Sequence, residues 1–323
     1  MRIKQVTMLA LSLVILAAAS AGGATAKRSS GPTVAFIAAV SNNPYFDYMI
    51  CGAKAAITKA GGNLIAQAPS KFDPVQQTQI LNAIAARKPD AIAIDAIDVA
   101  AMTPPIKAII KQGIPVLTWE EQMYVPGQIT NVANDQKVMG AMAADLIAKK
   151  LGGHGKVWIM GFQPGVASTD DRRIGFLAEI KKYPGLKYIG EQYAGTDSTK
   201  AAQQTSAVLQ ANPDLAAVWG EDAYGIQGVI NAVNQANKKG KIVIVSPDML
   251  QNEVDWIKNG DAYALIGQQP YKEGYQAAQT ILASLKGQKF PKQVFVKNPF
   301  LVVTHSNVNT PTVTNAIPKS SCG

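Results

Sequence analysis

The feature that most limits the fold is a spacing that occurs twice. After residue 32, short runs rich in Val and Ile alternate with longer segments of helical period, the pattern of βαβ units feeding a parallel sheet. Strand starts read at Thr33, Gly62, Ala91 and Pro115, then at Lys156, Leu186, Leu215 and Lys241. The intervals are 29, 29 and 24 residues in the first set and 30, 29 and 26 in the second. Two similar doubly wound α/β domains in tandem account for this better than one large sheet. With 323 residues and 47% hydrophobic content, each domain has enough chain for its own core. The join falls near "QITNVANDQ", Gln128 to Gln136, ahead of a helix expected from about Asp135 to Lys150. Two later runs, "AYALIGQQP" and "FLVVTH", belong to neither series and read as crossings back and forth between the domains.

The N-terminus carries Arg2 and Lys4 ahead of an apolar run from Met8 to Ala19, then Ala24-Thr25-Ala26. That is the form of a cleaved secretory signal peptide over residues 1–26, and its apolar run is too short to span a bilayer. No Cys stands at the cleavage site to take a lipid. Removing the segment takes two positive charges from the formal +9, leaving +7. These charges fall mainly in pairs such as Lys149-Lys150, Lys181-Lys182 and Lys238-Lys239 on expected helices, which is a solvated basic surface rather than a nucleic-acid footprint.

Doubly wound sheets bind ligands outside the carboxyl ends of their strands, so the informative residues follow each strand. They read "SNNPYF", "DAID", "WEEQ", "FQPGVASTDDRR", "GEDAYG" and "SPDM", an acidic and aromatic set for a chain of net positive charge. Helix N-caps and first turns account for acids at single positions such as Asp98 and Asp171.

The runs "VAFIAAVSNNPYFDYMICGAKAAITKAGG", "PVLTWEEQ", "AAVWGEDAYGIQGVINAV" and "IVIVSPDM", with "VDWIKNGDAYALIGQQPYKEGYQAA", together resemble the periplasmic monosaccharide-binding proteins of bacterial ABC importers, the ribose-binding type. The resemblance spans roughly residues 33 to 304, and "NNPYF" and "IGQQPYKEGY" are its most specific parts. It implies a type I periplasmic binding protein, two lobes on a three-strand hinge that close on one sugar. The lobes would comprise residues 32–131 plus 269–297 and residues 132–268 plus 298–304, followed by a tail, 305–323. By position, the resemblance implies that Asn43 bonds a sugar hydroxyl, that Tyr45 and Phe46 stack on the ring, and that Glu120, Asp248 and Gln268 accept or donate to hydroxyls. It also implies ABC permease and ATPase subunits as partners, a chemoreceptor where the closed form is also read, and a monomer.

Departures from the family carry their own argument. Ribose binders have Arg at the places of Glu121 and Asp170, Asn at the place of Asp222, and an aromatic residue at the place of Thr196, beside Asp197. Trp119 and Trp219 precede site positions and either supply the missing aromatic surface or belong to the core. Exchanging two cations and an amide for acids in one enclosed cleft leaves carboxylates that a neutral ligand does not compensate. An ammonium donates hydrogen bonds only and also sits against aromatic faces, so an amino sugar such as galactosamine or glucosamine fits. A neutral sugar or polyol is the alternative, and a small register shift within "ASTDDRR" brings Arg172 to the site instead.

Catalysis finds little support. "LGGHGKV" lacks the spacing of a phosphate loop, no G-x-G-x-x-G follows the first strand, and His154 and His305 suit neither a metal cluster nor a triad. Adjacent Glu120 and Glu121 do not flank a bond as glycosidase carboxyls must. A sugar-responsive regulator of the same fold needs an N-terminal helix-turn-helix, whose place the leader takes. No cofactor is called for. Export and an even count of two favour a disulfide between Cys51, in the first helix, and Cys322, in a tail that runs past the family's usual last strand.

Overall fold

A computed structural model describes residues 31–318 and Cys322. The leader, residues 1–26, lies outside the described residues. Five strands open the chain: β1 (Thr33–Ile37), β2 (Asn63–Gln67), β3 (Ala91–Ile94), β4 (Val116–Trp119) and β5 (Asn131–Ala133). Five more follow: β6 (Gly155–Gly161), β7 (Leu186–Tyr193), β8 (Leu215–Gly220), β9 (Val243–Pro247) and β10 (Ala264–Gly267). Two last strands, β11 (Gln293–Phe295) and β12 (Leu301–Thr304), return one to each sheet. The sheet orders are β11-β5-β4-β3-β1-β2 and β12-β10-β9-β8-β6-β7, the same winding twice. All pairings are parallel except β10 with β12, which is antiparallel.

The two-domain α/β expectation therefore holds, and every anticipated strand start lies within two residues of the observed one. One reading needs refining. The run at Ala264 is not a bare crossing but the fifth parallel strand of the second sheet, and the one at Leu301 is its antiparallel edge. The chain passes between lobes after β5, after β10 and between β11 and β12.

Helices fill the intervals: α1 (Pro44–Lys59), α2 (Pro74–Ala86), α3 (Val99–Lys111), α4 (Gln136–Leu151) and α5 (Ala167–Glu179), then α6 (Ser198–Ala211), α7 (Ala223–Gln235), α8 (Gln251–Asn259), α9 (Pro270–Ser284) and the short α10 (Pro311–Thr314). Their starts follow from local chemistry. Asn43, Asp73, Asp98, Asp135, Asp197 and Asp222 cap α1, α2, α3, α4, α6 and α7 with side-chain oxygens. Pro44, Pro74 and Pro270 occupy first-turn positions where the missing N–H costs nothing.

Both lobes lock helix pairs by glycine contact. A Cβ at Gly52 of α1 would stand 1.9 Å from the carbonyl oxygen of Tyr271 in α9, and one at Gly274 of α9 would stand 1.9 Å from that of Met49. In the second lobe, a Cβ at Gly140 of α4 would stand 1.9 Å from the Arg172 carbonyl oxygen, and one at Gly175 of α5 would stand 2.0 Å from that of Lys137. These contacts seat α1 and α5, two of the helices that project side chains into the cleft. Among the described residues no helix is long and apolar enough to cross a membrane, and no cluster of His, Cys, Asp and Glu is arranged to hold a metal.

Candidate functional site

The carboxyl ends of both sheets face one cavity of about 410 Å³ between the lobes. That is the size range of small-molecule sites. Eight residues singled out from the sequence line it: Asn43, Tyr45, Phe46, Glu120, Glu121, Asp222, Asp248 and Gln268. Backbone geometry turns several of them inward. Glu120 and Asp248, each just past a strand, have φ of 58° and 66°, a left-handed conformation costly for residues other than glycine and commonly retained where function needs it.

The first lobe contributes an ordered wall. Asn43 caps α1, its Oδ1 accepting from the Tyr45 N–H at 2.9 Å, and its Nδ2 reaches across to the Tyr224 hydroxyl at 3.3 Å. Tyr45 packs edge-on to Phe46 with ring centroids 5.3 Å apart, and its hydroxyl donates to Glu120 Oε2 at 3.0 Å. The hydroxyl of Tyr45 thus holds a carboxylate in place.

Beneath the cavity floor runs a buried polar chain through two of the interlobe crossings. Glu273 of α9 accepts from the Glu120 N–H at 3.0 Å and from Asn134 Nδ2 at 2.8 Å. Asn134 also donates to Gln268 Oε1 at 2.8 Å, and so does Gln136 Nε2 at 2.9 Å. Gln268 Nε2 then donates to Asp248 Oδ1 at 2.7 Å. Gln136 Oε1 accepts from Arg172 Nε at 2.9 Å, and Arg172 Nη1 donates to the Glu221 carbonyl at 2.6 Å. Asn134, Gln136 and Glu273 were not singled out from the sequence. Only their place beside a crossing, just past β5 for Asn134 and Gln136 and in the first turn of α9 for Glu273, could have flagged them.

Arg172, 4% exposed, projects into the cavity while its neighbour Asp170 does not. This corrects the assignment of Asp170 to the site. Asp170 Oδ2 accepts from the Gly165 N–H at 2.9 Å and its Oδ1 lies 3.8 Å from Arg173, on the outer side of the first turn of α5. Helix periodicity explains the exchange, since residues 168 and 172 share the cleft face four positions apart.

Glu121 lines the cavity, yet both of its oxygens are occupied by the opposite lobe. Oε2 accepts from the Ser168 N–H at 2.6 Å and Oε1 from the Ser168 hydroxyl at 2.7 Å. Val166, at the N-cap of α5, offers no side-chain acceptor, so Glu121 supplies one from the first lobe. Gln122 adds a second link, donating to Asp171 at 2.8 Å.

Trp119 belongs to the core, a second correction, and so does Trp219, which the sequence left open between site and core. Trp119 is fully buried, edge-on to Phe36 at 5.0 Å, with its indole N–H donating to the Ile37 carbonyl. Trp219 stacks on Phe176 at 6.3 Å. The aromatic surface comes instead from Phe72, Phe162 and Tyr224, and the rings of Phe72 and Phe162 meet across the cleft at 5.5 Å. Neither Thr196 nor Asp197 reaches the cavity, and Asp197 caps α6.

Burial sets the electrostatics. It pushes the Glu121 carboxyl up to about 7, against the opposing pull of the Ser168 bonds, and raises Glu120 as well. Asp222 also rises to about 7 through burial, although the Gly225 N–H and Arg172 stabilise its charge. Burial drives Asp95 and Glu273 well above the carboxylate range. Asp222 Oδ1 caps α7 at 2.9 Å from the Gly225 N–H, while Oδ2 is buried with no partner among the described residues.

Residues 34–289 match the family model described as a periplasmic binding protein domain. The chain is similar to an ABC transporter solute-binding protein from Agrobacterium vitis bound with α-D-tagatopyranose, with 33% identity and a TM-score of 0.85 over 89% of this chain and 99% of that one. It is also similar to a carbohydrate transporter solute-binding protein from Agrobacterium radiobacter in complex with D-arabinose, with 26% identity and a TM-score of 0.83 over 90% of this chain and 100% of that one. Among curated proteins, the ribose import binding protein of Escherichia coli (strain K12) is 27% identical over 279 residues, 86% of this chain and 93% of that protein.

Proposed function

The chain belongs to the periplasmic binding protein family, and from that premise we propose that it captures one monosaccharide between its lobes and presents it to the membrane subunits of an ABC importer. Its relatives are binding proteins rather than enzymes. The observation that carries the reading is the composition of the cavity. Acceptors on Glu120, Asp222 and Asp248 and donors on Arg172 and Asn43 come from both lobes, beside the rings of Phe46 and Phe162. Hydroxyls of a sugar both donate and accept, so they match a mixed set of this kind, while the flatter faces of the ring meet the aromatics. A ligand held by both lobes favours their closure by its differential contacts with the closed form.

A neutral pyranose is the ligand this geometry supports best. Two of the acids that argued for a cation are accounted for within the protein, Glu121 by Ser168 and Asp170 by Gly165 and Arg173. Arg172 restores a positive charge beside the remaining ones. The ligands held by the two similar solved proteins, tagatose and arabinose, are likewise neutral. One observation favours an amino sugar as the second reading, the unpartnered buried Oδ2 of Asp222.

Export through residues 1–26 to the periplasm completes the proposal, since a captured sugar must be delivered at the outer side of the inner membrane. The test is a thermal-shift and calorimetry panel of tagatose, arabinose, ribose, galactose, galactosamine and glucosamine on the mature protein. A neutral sugar giving the largest shift supports the leading reading, an amine doing so supports the second, and no shift with any sugar removes both.

A further inference from the structure

The C-terminal tail connects the lobes once more than the three crossings do. Beyond β12 the chain stays on the second lobe. Val308 and Val313 are buried in the core that contains Trp158 and Val218, and Ala316 and Ile317 pack against it. Asn307 secures the turn, its Oδ1 accepting from the Thr304 N–H and its Nδ2 donating to the Val302 carbonyl, both at 2.8 Å. Pro318 is buried too. Yet Cys322 forms a disulfide with Cys51, midway along α1 of the first lobe. Residue numbers 318 and 322 differ by four, and four residues span at most about 14 Å when fully extended.

The position of that anchor matters. Beside the disulfide lie Ser41, Gln67 and Ala68, residues that follow or end β1 and β2, together with Phe46, which also lines the interlobe cavity. In the first sheet, β2 is at one edge, whereas β5 and β11, from which two of the crossings leave, are at the other. A hinge rotation moves points far from the hinge the most, so a bond on the β2 side restrains opening with the longest lever.

We propose that the packed tail and the Cys51–Cys322 bridge form a covalent strap that limits how far the cleft opens. The proposal rests on the hinged-lobe reading above. It differs from a bridge that merely fastens a loose terminus, because both ends of the strap are fixed, one in each lobe.

Small-angle X-ray scattering of the mature protein without sugar tests it on four samples. These are the wild type, the doubly substituted Cys51→Ser/Cys322→Ser protein, a variant with a flexible Gly-Ser insertion between Pro318 and Lys319 that keeps the disulfide, and Glu121→Ala with the strap intact. Thiol titration checks the bridge in each, and circular dichroism checks folding. The expected result is a larger radius of gyration for both the severed and the lengthened forms. Expansion of the severed form alone overturns the strap, since a bridge acting only by local support survives lengthening. If Glu121→Ala expands while both strap variants overlay the wild type, the strap fails and the hinge stands. If none of the variants expands, the hinged reading fails with it. Should the severed form not fold, the lengthened one decides by itself.

Discussion

The Glu121 carboxylate of the first lobe grips Ser168 of the second through two hydrogen bonds, 2.6 Å from its N–H and 2.7 Å from its hydroxyl. This is a helix cap supplied across a cleft. A capping residue normally precedes its own helix, whereas here the acceptor stands 47 residues away in sequence and exists only when the lobes meet. The same helix carries Arg172 into the cavity, so one contact joins closure to the placement of the buried cation.

Glu121→Ala should therefore weaken binding of any ligand that needs the closed cleft. A buried charge-assisted bond contributes about 1.5–3 kcal/mol, which corresponds to roughly a 10- to 100-fold rise in Kd. Most of that change should appear in the dissociation rate. Because the bond joins protein to protein, galactose and galactosamine should suffer equally. Stopped-flow dissociation measures it, and a selective loss for the amine would return Glu121 to direct ligand contact.

How much of this was legible beforehand depends on the range of each interaction. Strand starts at Thr33, Ala91, Leu186 and Leu215 were read to the residue because hydrophobic runs and flanking turns are local signals. β5 and β11, three residues each, are too short to show a period and were missed as strands. Site residues after strand ends were found in the same local way. Asp170 was misplaced because residues two apart on a helix point about 200° apart, so a small difference in register decides which of Asp170 and Arg172 faces the cleft. The Glu121–Ser168 pair and the Asn134–Gln268–Asp248 chain join segments far apart in sequence, and nothing local to either partner announces them.

Closure should be linked to protons. Glu121 and Asp222 ordinarily titrate near 4.5 and 3.8, but in the closed cleft burial raises both to about 7. Around pH 6 the closed form holds protons that the open or unfolded chain has released. The stability they contribute is fully present below their unfolded values and is lost as pH rises through about 7. Melting temperature should accordingly fall between pH 5 and 8. Calorimetry at pH 6 in two buffers of different ionisation enthalpy should register proton uptake when a neutral sugar binds. Zero uptake would mean that these acids are already protonated before closure or stay ionised within it.

The glycine contacts between α1 and α9 make a structural prediction. A methyl at Gly274 meets the Met49 carbonyl oxygen at 1.9 Å, and backbone cannot yield as a flexible side chain can. Gly274→Ala should cost about 1–3 kcal/mol or more through forced separation of the helices. Urea denaturation reads the loss. Because α9 also carries Glu273 beneath Glu120, binding should weaken in the same variant, and an unchanged midpoint would show that the helices part freely.

Asp222 is the residue on which the charge of the ligand should be testable. Its Oδ1 caps α7 and its Oδ2 is buried without a partner among the described residues, while burial raises its carboxyl to about 7. Near pH 6 the group is mostly neutral, and Asn is both close in shape to the protonated acid and an equally good helix N-cap. Asp222→Asn should therefore bind a neutral sugar within a few-fold of wild type at pH 6. At pH 8 the wild-type carboxyl ionises and presents a neutral ligand with a buried charge that Arg172 and the Gly225 N–H only partly offset, whereas the amide does not titrate, so the variant should then bind more tightly than wild type. An ammonium ligand predicts the opposite ordering. It draws on the ionised carboxylate, and replacing a charge-assisted bond of about 1.5–3 kcal/mol by an amide should cost roughly 10- to 100-fold, most clearly at pH 8. Isothermal titration of wild type and variant at both pH values, with whichever sugar gives the largest thermal shift, separates the two. A variant weaker than wild type at pH 8 would overturn the neutral-sugar reading.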